Sequence, residues 1–352
     1  MAANNPQTSI YVGLAGEGQF VGGGGLYRYD VSDDRWQSIA NGLPASPQVR
    51  ALMIRPDNPA VLYAGTQCGV YRSDDRGEHW EPLGTPREGG DVWSLACHPD
   101  NPDVLYAGYE PCSIERSEDG GAHWRRMDTE AVVFPHITTY MPPTAKRVIG
   151  ITADPSNPRD MYAAIEVGGL LGSRDGGESW ISLIDGPYVR NNTIDLHAVQ
   201  VSPAAPGTVY IATQVAMFRG RDHGRHWEHV QFGEMFPGGT YCRDLLVAPD
   251  DPNVIYLAAG AGGGGAPAGT QEAGALFRSR DTGESWARVE IGDVPPSRMA
   301  RIAIDRSSPS LVSCGSMLGQ VYVSQNGGEE WRKTQVPAEL SRSRHIYPMA
   351  CG

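Results

Sequence analysis

The chain reads as an all-β protein: a seven-bladed β-propeller of four-stranded blades, with a closing blade shared by the N- and C-termini. Three observations predict this. One short pattern ending in tryptophan recurs along nearly all 352 residues. Each copy is preceded by strand-like apolar runs in a fixed order. Gly (44) and Pro (27) make up about a fifth of the chain while hydrophobic residues remain at 40%. That composition is too apolar for disorder and suits many short strands joined by many turns.

Length alone suggests about two domains, but internal repetition takes precedence. Seven of the eight tryptophans, Trp36, Trp80, Trp124, Trp180, Trp227, Trp286 and Trp331, follow one another at separations of 44, 44, 56, 47, 59 and 45 residues. Six of them close the pattern Ser-x-Asp-x-Gly-x-x-Trp. The first copy is Ser73, Asp75, Gly77 and Trp80. Ser117, Ser173, Ser279 and Ser324 open further copies, the last with Asn326 in place of the acid. The fourth copy has Gly220 instead of serine, and around Trp36 little remains beyond Asp34 and the tryptophan. The chemistry is that of a hairpin. Asp or Asn bonds the turn backbone, Gly takes the positive φ that closes it, and Trp opens the next strand and packs between neighbouring units.

The strands follow from the same repeat. Before each turn lies a run such as Gly69-Val-Tyr-Arg, and before that one such as Val61-Leu-Tyr-Ala-Gly. Earlier still, an alternating apolar strand runs to a proline: Arg50 to Pro56, Trp93 to Pro99, His197 to Pro203, Arg243 to Pro249. Four strands in about 45 residues make one blade. The N-terminal region supplies strands near 9–15, 25–29 and 36–40 without an innermost one, and His345 to Cys351 is a lone strand-like run at the other end. Joined, they complete the seventh blade and leave no long open edge. Residues 1–352 then form a single domain.

The pattern resembles the Asp-box, or BNR, repeat of β-propellers. That family includes sialidases, other glycoside hydrolases, sortilin-type receptors and photosystem II assembly factors, so the resemblance implies a fold more than an activity. It also implies that the repeat's Asp and Trp are structural. A standard sialidase is not expected. Sialidases resembling this repeat carry an early Arg-Ile-Pro motif, which is absent here, and an arginine triad would need Arg298 or Arg301 beside Arg50 and Arg243.

Charge and composition exclude several classes. With 29 basic and 41 acidic residues the net charge is −12, which disfavours general nucleic-acid binding. No run approaches the roughly 18 apolar residues of a membrane span. The polar start, Met1 to Ile10, lacks the features of a secretory signal, so a cytoplasmic location is expected. The six cysteines show no C-x-x-C spacing and read as ordinary thiols.

Long insertions occur on one face only: 127–146, 185–195, 232–242, 260–274 and 16–25. Loops on the turn-bearing face stay short. Function sits on loops carried by a rigid scaffold, which points to the channel mouth on the elaborated face. Two registers name its residues. Counting back six from the strand-ending proline gives Arg50, Trp93, Ile149, His197 and Arg243, with Ala300 in the sixth blade and Arg344 and His345 opening the closing strand. Counting four on from the tyrosine of the second strand gives Gln67, Glu110, Glu166 and Gln214.

This polar rim reads either as a water-filled channel of paired charges or as a pocket. As a pocket, Arg50 and Arg243 would hold an anion, Glu166 or Glu110 would act as acid or base, and His197 or His345 would shuttle protons. Trp93 would stack on a ring or sugar face. Gln67, Gln214, His136 and Arg190 complete the expected substrate-binding set. No cofactor is called for. A divalent metal at the mouth is compatible with His136, His197 and His345, though their spacing does not demand it. The leading expectation is a hydrolase or lyase acting on a small anionic or sugar-like molecule. The alternatives are a protein-binding scaffold on the long-loop face, as the photosystem II assembly factors suggest, and a carbohydrate-binding propeller without catalysis.

Overall fold

The computed structural model describes residues 8–16, 24–84, 90–127, 129, 146–184, 195–233, 235–237, 239–262, 274–338 and 345–352. They form seven four-stranded antiparallel sheets arranged as a β-propeller. Six blades are simple meanders running outward from the axis, at 51–82, 91–126, 148–184, 196–230, 240–288 and 299–333. In the closing blade the strand His345–Cys351 lies inside Ser9–Ala15, Gly25–Asp30 and Arg35–Ser38. The termini are stitched by reciprocal backbone bonds between Ser9 and Gly352, at 2.9 and 3.1 Å. Each innermost strand packs against the next around the ring, the closing strand meeting Ala51–Ile54 of blade one. Among the described residues no helix is long and apolar enough to cross a membrane.

The recurring turn explains why six blades repeat one pattern. In blade three Ser173 Oγ accepts a hydrogen bond from Gly177 N at 2.8 Å and donates to Asp175 Oδ1 at 2.7 Å. Asp175 Oδ1 also accepts from Ser179 N at 2.9 Å, and Gly177 takes a φ of +87°. Trp180 Nε1 then donates to Gly177 O at 3.0 Å. Each turn is tied to the proline turn of its own blade, as in Gly176 N to Arg159 O and Gly120 N to Asp103 O, both 2.9 Å. Both turn types therefore occupy one face.

Blade four departs from this, for a reason visible at Gly220. The Trp227 ring lies over that glycine, and a Cβ there would come within 2.8 Å of it. No serine side chain fits, and Asp222 and His223 take positive φ instead.

The core sits between blades. Rows of small residues let the innermost strands approach their neighbours. At Gly108 an added Cβ would meet Ser94 Oγ at 2.3 Å and Val148 Cβ at 2.7 Å. The outermost strands are mostly short and polar, such as Glu81–Pro82 and Arg125–Arg126. Such edges resist pairing with other chains.

Candidate functional site

The inward register coincides with a backbone irregularity. In blade two, pairing between the first and second strands jumps from Val92 to Ser94, leaving Trp93 as the extra residue of a bulge. The same jump isolates Ile149, His197, Arg243 and Ala300. In blade one Arg50 stands at the equivalent point, just before the Ala51–Gly65 pair. A bulged residue is released from the ladder and its side chain is re-aimed. In the closing blade the jump falls between Ile346 and Met349, across from Gly13. The seventh member of this tier is therefore Tyr347, two residues beyond the expected His345. That strand has no terminal proline to count from.

His345 belongs to a second tier, two residues before each bulge: Gln48, Asp91, Arg147, Asp195, Tyr241, Arg298 and His345. These face the residues of the other register. Glu110 pairs with Asp91, Glu166 N bonds Arg147 O at 3.0 Å, and Gln214 N bonds Asp195 O at 2.9 Å. Gln67 Oε1 accepts from Gln48 N at 2.8 Å, which makes it a clasp on the rim. The two registers thus converge on one mouth. The second tier also follows the two-residue period of a strand, so it was within reach of the sequence.

Arg147 is the centre of the acidic side. Its Nε lies 2.6 Å from Glu166 Oε2 and 3.6 Å from Glu110 Oε2. Its guanidinium lies 4.1 Å from the Trp93 ring centre, and that of Arg50 lies 4.9 Å from it. Arg50 pairs with Asp91 at 3.2 Å. Trp93 is only 8% exposed. With two guanidiniums and Tyr347 against it, this ring is covered and is not an open stacking platform. Burial raises the Glu110 pKa above the usual carboxylate value; Arg147 pulls against this and Asp91 adds to it.

Asp195 and His197 lie beside this group. His197 Nδ1 is 2.6 Å from Cys242 O, Nε2 is 3.6 Å from Asp195 Oδ1, and both residues are buried.

The opposite side is basic and aromatic. Arg298 lies 4.0 Å above the Tyr241 ring and donates from Nε to Ala261 O at 3.2 Å. Arg243 lies 5.8 Å from the same ring. Arg301 donates to Tyr347 O and, at 3.2 Å, to Arg243 O. Burial lowers the pKa of Arg298. For Arg243 burial acts the same way, but Tyr241, Tyr347 and Glu166 outweigh it. The guanidiniums of Arg243 and Arg298 thus lie against the Tyr241 ring, with Glu166 acting on Arg243 as well.

The structure brings Arg50, Trp93, Glu110, Glu166, His197, Gln214, Arg243 and His345 to one mouth, with Gln67 on its rim. His136 and Arg190 lie outside the described residues, as do most of the long insertions. Arg147, Asp91, Asp195, Tyr241 and Tyr347 are additions that sequence reasoning missed. A surface cavity of about 180 Å³, lined by Leu276, Glu290, Asp293 and Pro295 among others, is separate from this mouth.

No protein-family model matches the chain. A xyloglucanase from Paenibacillus sp is 27% identical over 233 residues, covering 54% of this chain and 21% of that protein. The match therefore spans about a fifth of that relative's length. Among solved structures, the GH74 xyloglucanase of Xanthomonas campestris superposes with a TM-score of 0.68 at 18% identity, covering 88% of this chain and 51% of that one. YCF48, solved bound to D1 peptide, superposes with a TM-score of 0.57 at 15% identity, covering 86% and 85%. The chain is a seven-bladed β-propeller with distant sequence similarity to glycoside hydrolases.

Proposed function

We propose that the chain is a hydrolase of glycosidic bonds, acting at the channel mouth on a sugar-like substrate that bears an acidic group. The observation that carries this reading is the Glu110–Arg147–Glu166 arrangement. A half-buried carboxyl with a raised pKa, 3.6 Å from Arg147, stands next to one held by the same arginine at 2.6 Å. Carboxyl groups whose environments differ in this way divide the roles of acid and base. Glu110 donates the proton to the leaving oxygen. Glu166, Asp195 and His197, on the neighbouring wall, orient the attacking water. Arg243 and Arg298 hold the substrate's anion, since recessed guanidiniums gain most from such a partner. The distant similarity to xyloglucanases supports a glycosidic substrate. A lyase would use the same anion site with His197 as the base. We also assign the serine-anchored turns to the Asp-box type.

The test is release of reducing ends from xyloglucan and from uronic-acid polysaccharides. Release by the native chain, lost in Glu110→Gln, supports the reading. No release from either substrate class overturns it. One observation favours a second reading. The chain covers 85% of YCF48, solved bound to D1 peptide, and 51% of the xyloglucanase, so a scaffold binding a peptide at the mouth is the alternative. Peptide capture that survives Glu110→Gln would support it.

A further inference from the structure

We propose that Glu166, Asp195 and His197 form a site for one divalent cation of the Mn²⁺ or Zn²⁺ class. Each offers one donor atom, and the three donors lie within 4.8 Å of one another. His197 carries the argument furthest. Its Nδ1 lies 2.6 Å from the carbonyl oxygen of Cys242. A carbonyl oxygen only accepts, so Nδ1 holds the proton and, in the neutral imidazole, Nε2 holds the lone pair. Anchoring one ring nitrogen to backbone while the other binds a metal is the usual arrangement of a ligating histidine.

The position of that lone pair is informative. The His197 side chain is 6% exposed, and Nε2 faces Asp195 Oδ1 at 3.6 Å. This is too long for a hydrogen bond. A histidinium in direct contact with a carboxylate would close to about 2.7–2.9 Å. Two ligands each about 2.1 Å from a shared ion stand about 3.5 Å apart. Glu166 supplies the third donor from the channel side, where its side chain is 20% exposed. The remaining coordination positions then face the mouth, open to water or substrate.

The donor set selects the ion. Ca²⁺ and Mg²⁺ take oxygen ligands, whereas one imidazole with two carboxylates suits Mn²⁺ or Zn²⁺. Charge agrees. Arg147 offsets the Glu166 carboxylate at 2.6 Å, and Asp195 brings a second carboxylate to meet the cation. The site stands on this geometry. Where the hydrolase reading also holds, the ion lies where that reading orients the water, and a bound cation would lower that water's pKa.

The experiment is calorimetric titration of the full, chelator-stripped chain with MnCl₂ and with ZnCl₂. One site per chain is expected, at least tenfold weaker for CaCl₂ and MgCl₂. His197→Gln and Asp195→Asn should weaken it at least tenfold, while Gln67→Ala titrates like the native chain. Because His197 and Asp195 are buried, Glu166→Gln provides a second variant at a more open position, with thermal melts confirming folding. Absence of Mn²⁺ and Zn²⁺ binding in the native chain overturns the site. So does unchanged binding in a folded Glu166→Gln. The two readings fail separately. Metal binding without polysaccharide cleavage removes the hydrolase and leaves the site, and cleavage by a stripped chain that binds no metal does the reverse.

Discussion

The rings of Trp93 and Tyr347 meet edge to face, with centroids 5.3 Å apart and planes at 82°, although blade one stands between the blades that carry them. Together with Ala15 and Ile149 they form a small apolar cluster at the level of the bulges. The cluster forms a floor to the charged tier, covered by the guanidiniums of Arg50 and Arg147.

Removing that floor should be costly. Trp93→Ala leaves a cavity and strips Arg50 and Arg147 of their aromatic contact, so we expect a loss of about 3–5 kcal/mol. Urea unfolding with an unchanged m-value would measure it. A shift under about 1 kcal/mol would contradict the floor's structural role.

Glu110 should control the high-pH limb of activity. Its folded pKa is raised, so the protonated acid persists to higher pH than in a free glutamate. The linkage has a definite sign. The folded chain holds a proton there that the unfolded chain has lost, so this residue's contribution to stability declines as pH rises through the window above the unfolded value. Glu110→Gln should abolish reducing-end release, and its melting temperature relative to native should rise between pH 4 and pH 7.

Arg243 and Arg298 should govern substrate affinity more than turnover. A charge-assisted hydrogen bond contributes about 1.5–3 kcal/mol, so Arg243→Ala should raise KM for an acidic substrate about 10- to 100-fold. A neutral substrate should show little change. Equal losses for both substrates would remove the anion site.

Ser173 tests the recurring turn. Its hydroxyl is buried, accepts from Gly177 N and donates to Asp175. Ser173→Ala leaves the Gly177 N–H without that partner, at a cost of about 1–3 kcal/mol. Thermal melts of this variant and of Ser279→Ala should show similar drops.

Deleting 345–352 should open the ring. The strand Ser9–Ala15 would become an exposed edge that is wholly buried in the intact blade. We expect concentration-dependent association by light scattering. A monomeric, folded truncation would mean that this strand is dispensable.

The blades were legible because the turn is nearly invariant and its parts lie within eight residues. A hydroxyl, a carboxylate, a glycine and an indole bond one another locally, so the motif carries its own geometry. The bulged tier was legible where a proline marks the strand end, which located Arg50, Trp93, His197 and Arg243. It failed at Tyr347 because Pro348 lies inside that strand instead of ending it. Arg147 lies two residues before Ile149, on the side the strand period assigns to the channel, but no motif marks it. The contact that sets its role, with Glu166, joins two blade strands at their rim ends. That pairing depends on how far the first strand extends beyond its bulge, which no local pattern reports.

The bulges separate display from support. Because the inward residue of each innermost strand stands at a break in the regular pairing or at its end, its side chain can change from arginine to tryptophan, isoleucine, histidine, alanine or tyrosine while the ring stays closed. The same barrel of blades can therefore be re-tooled for another ligand by editing a handful of inward-facing letters, and the architecture itself need not be renegotiated.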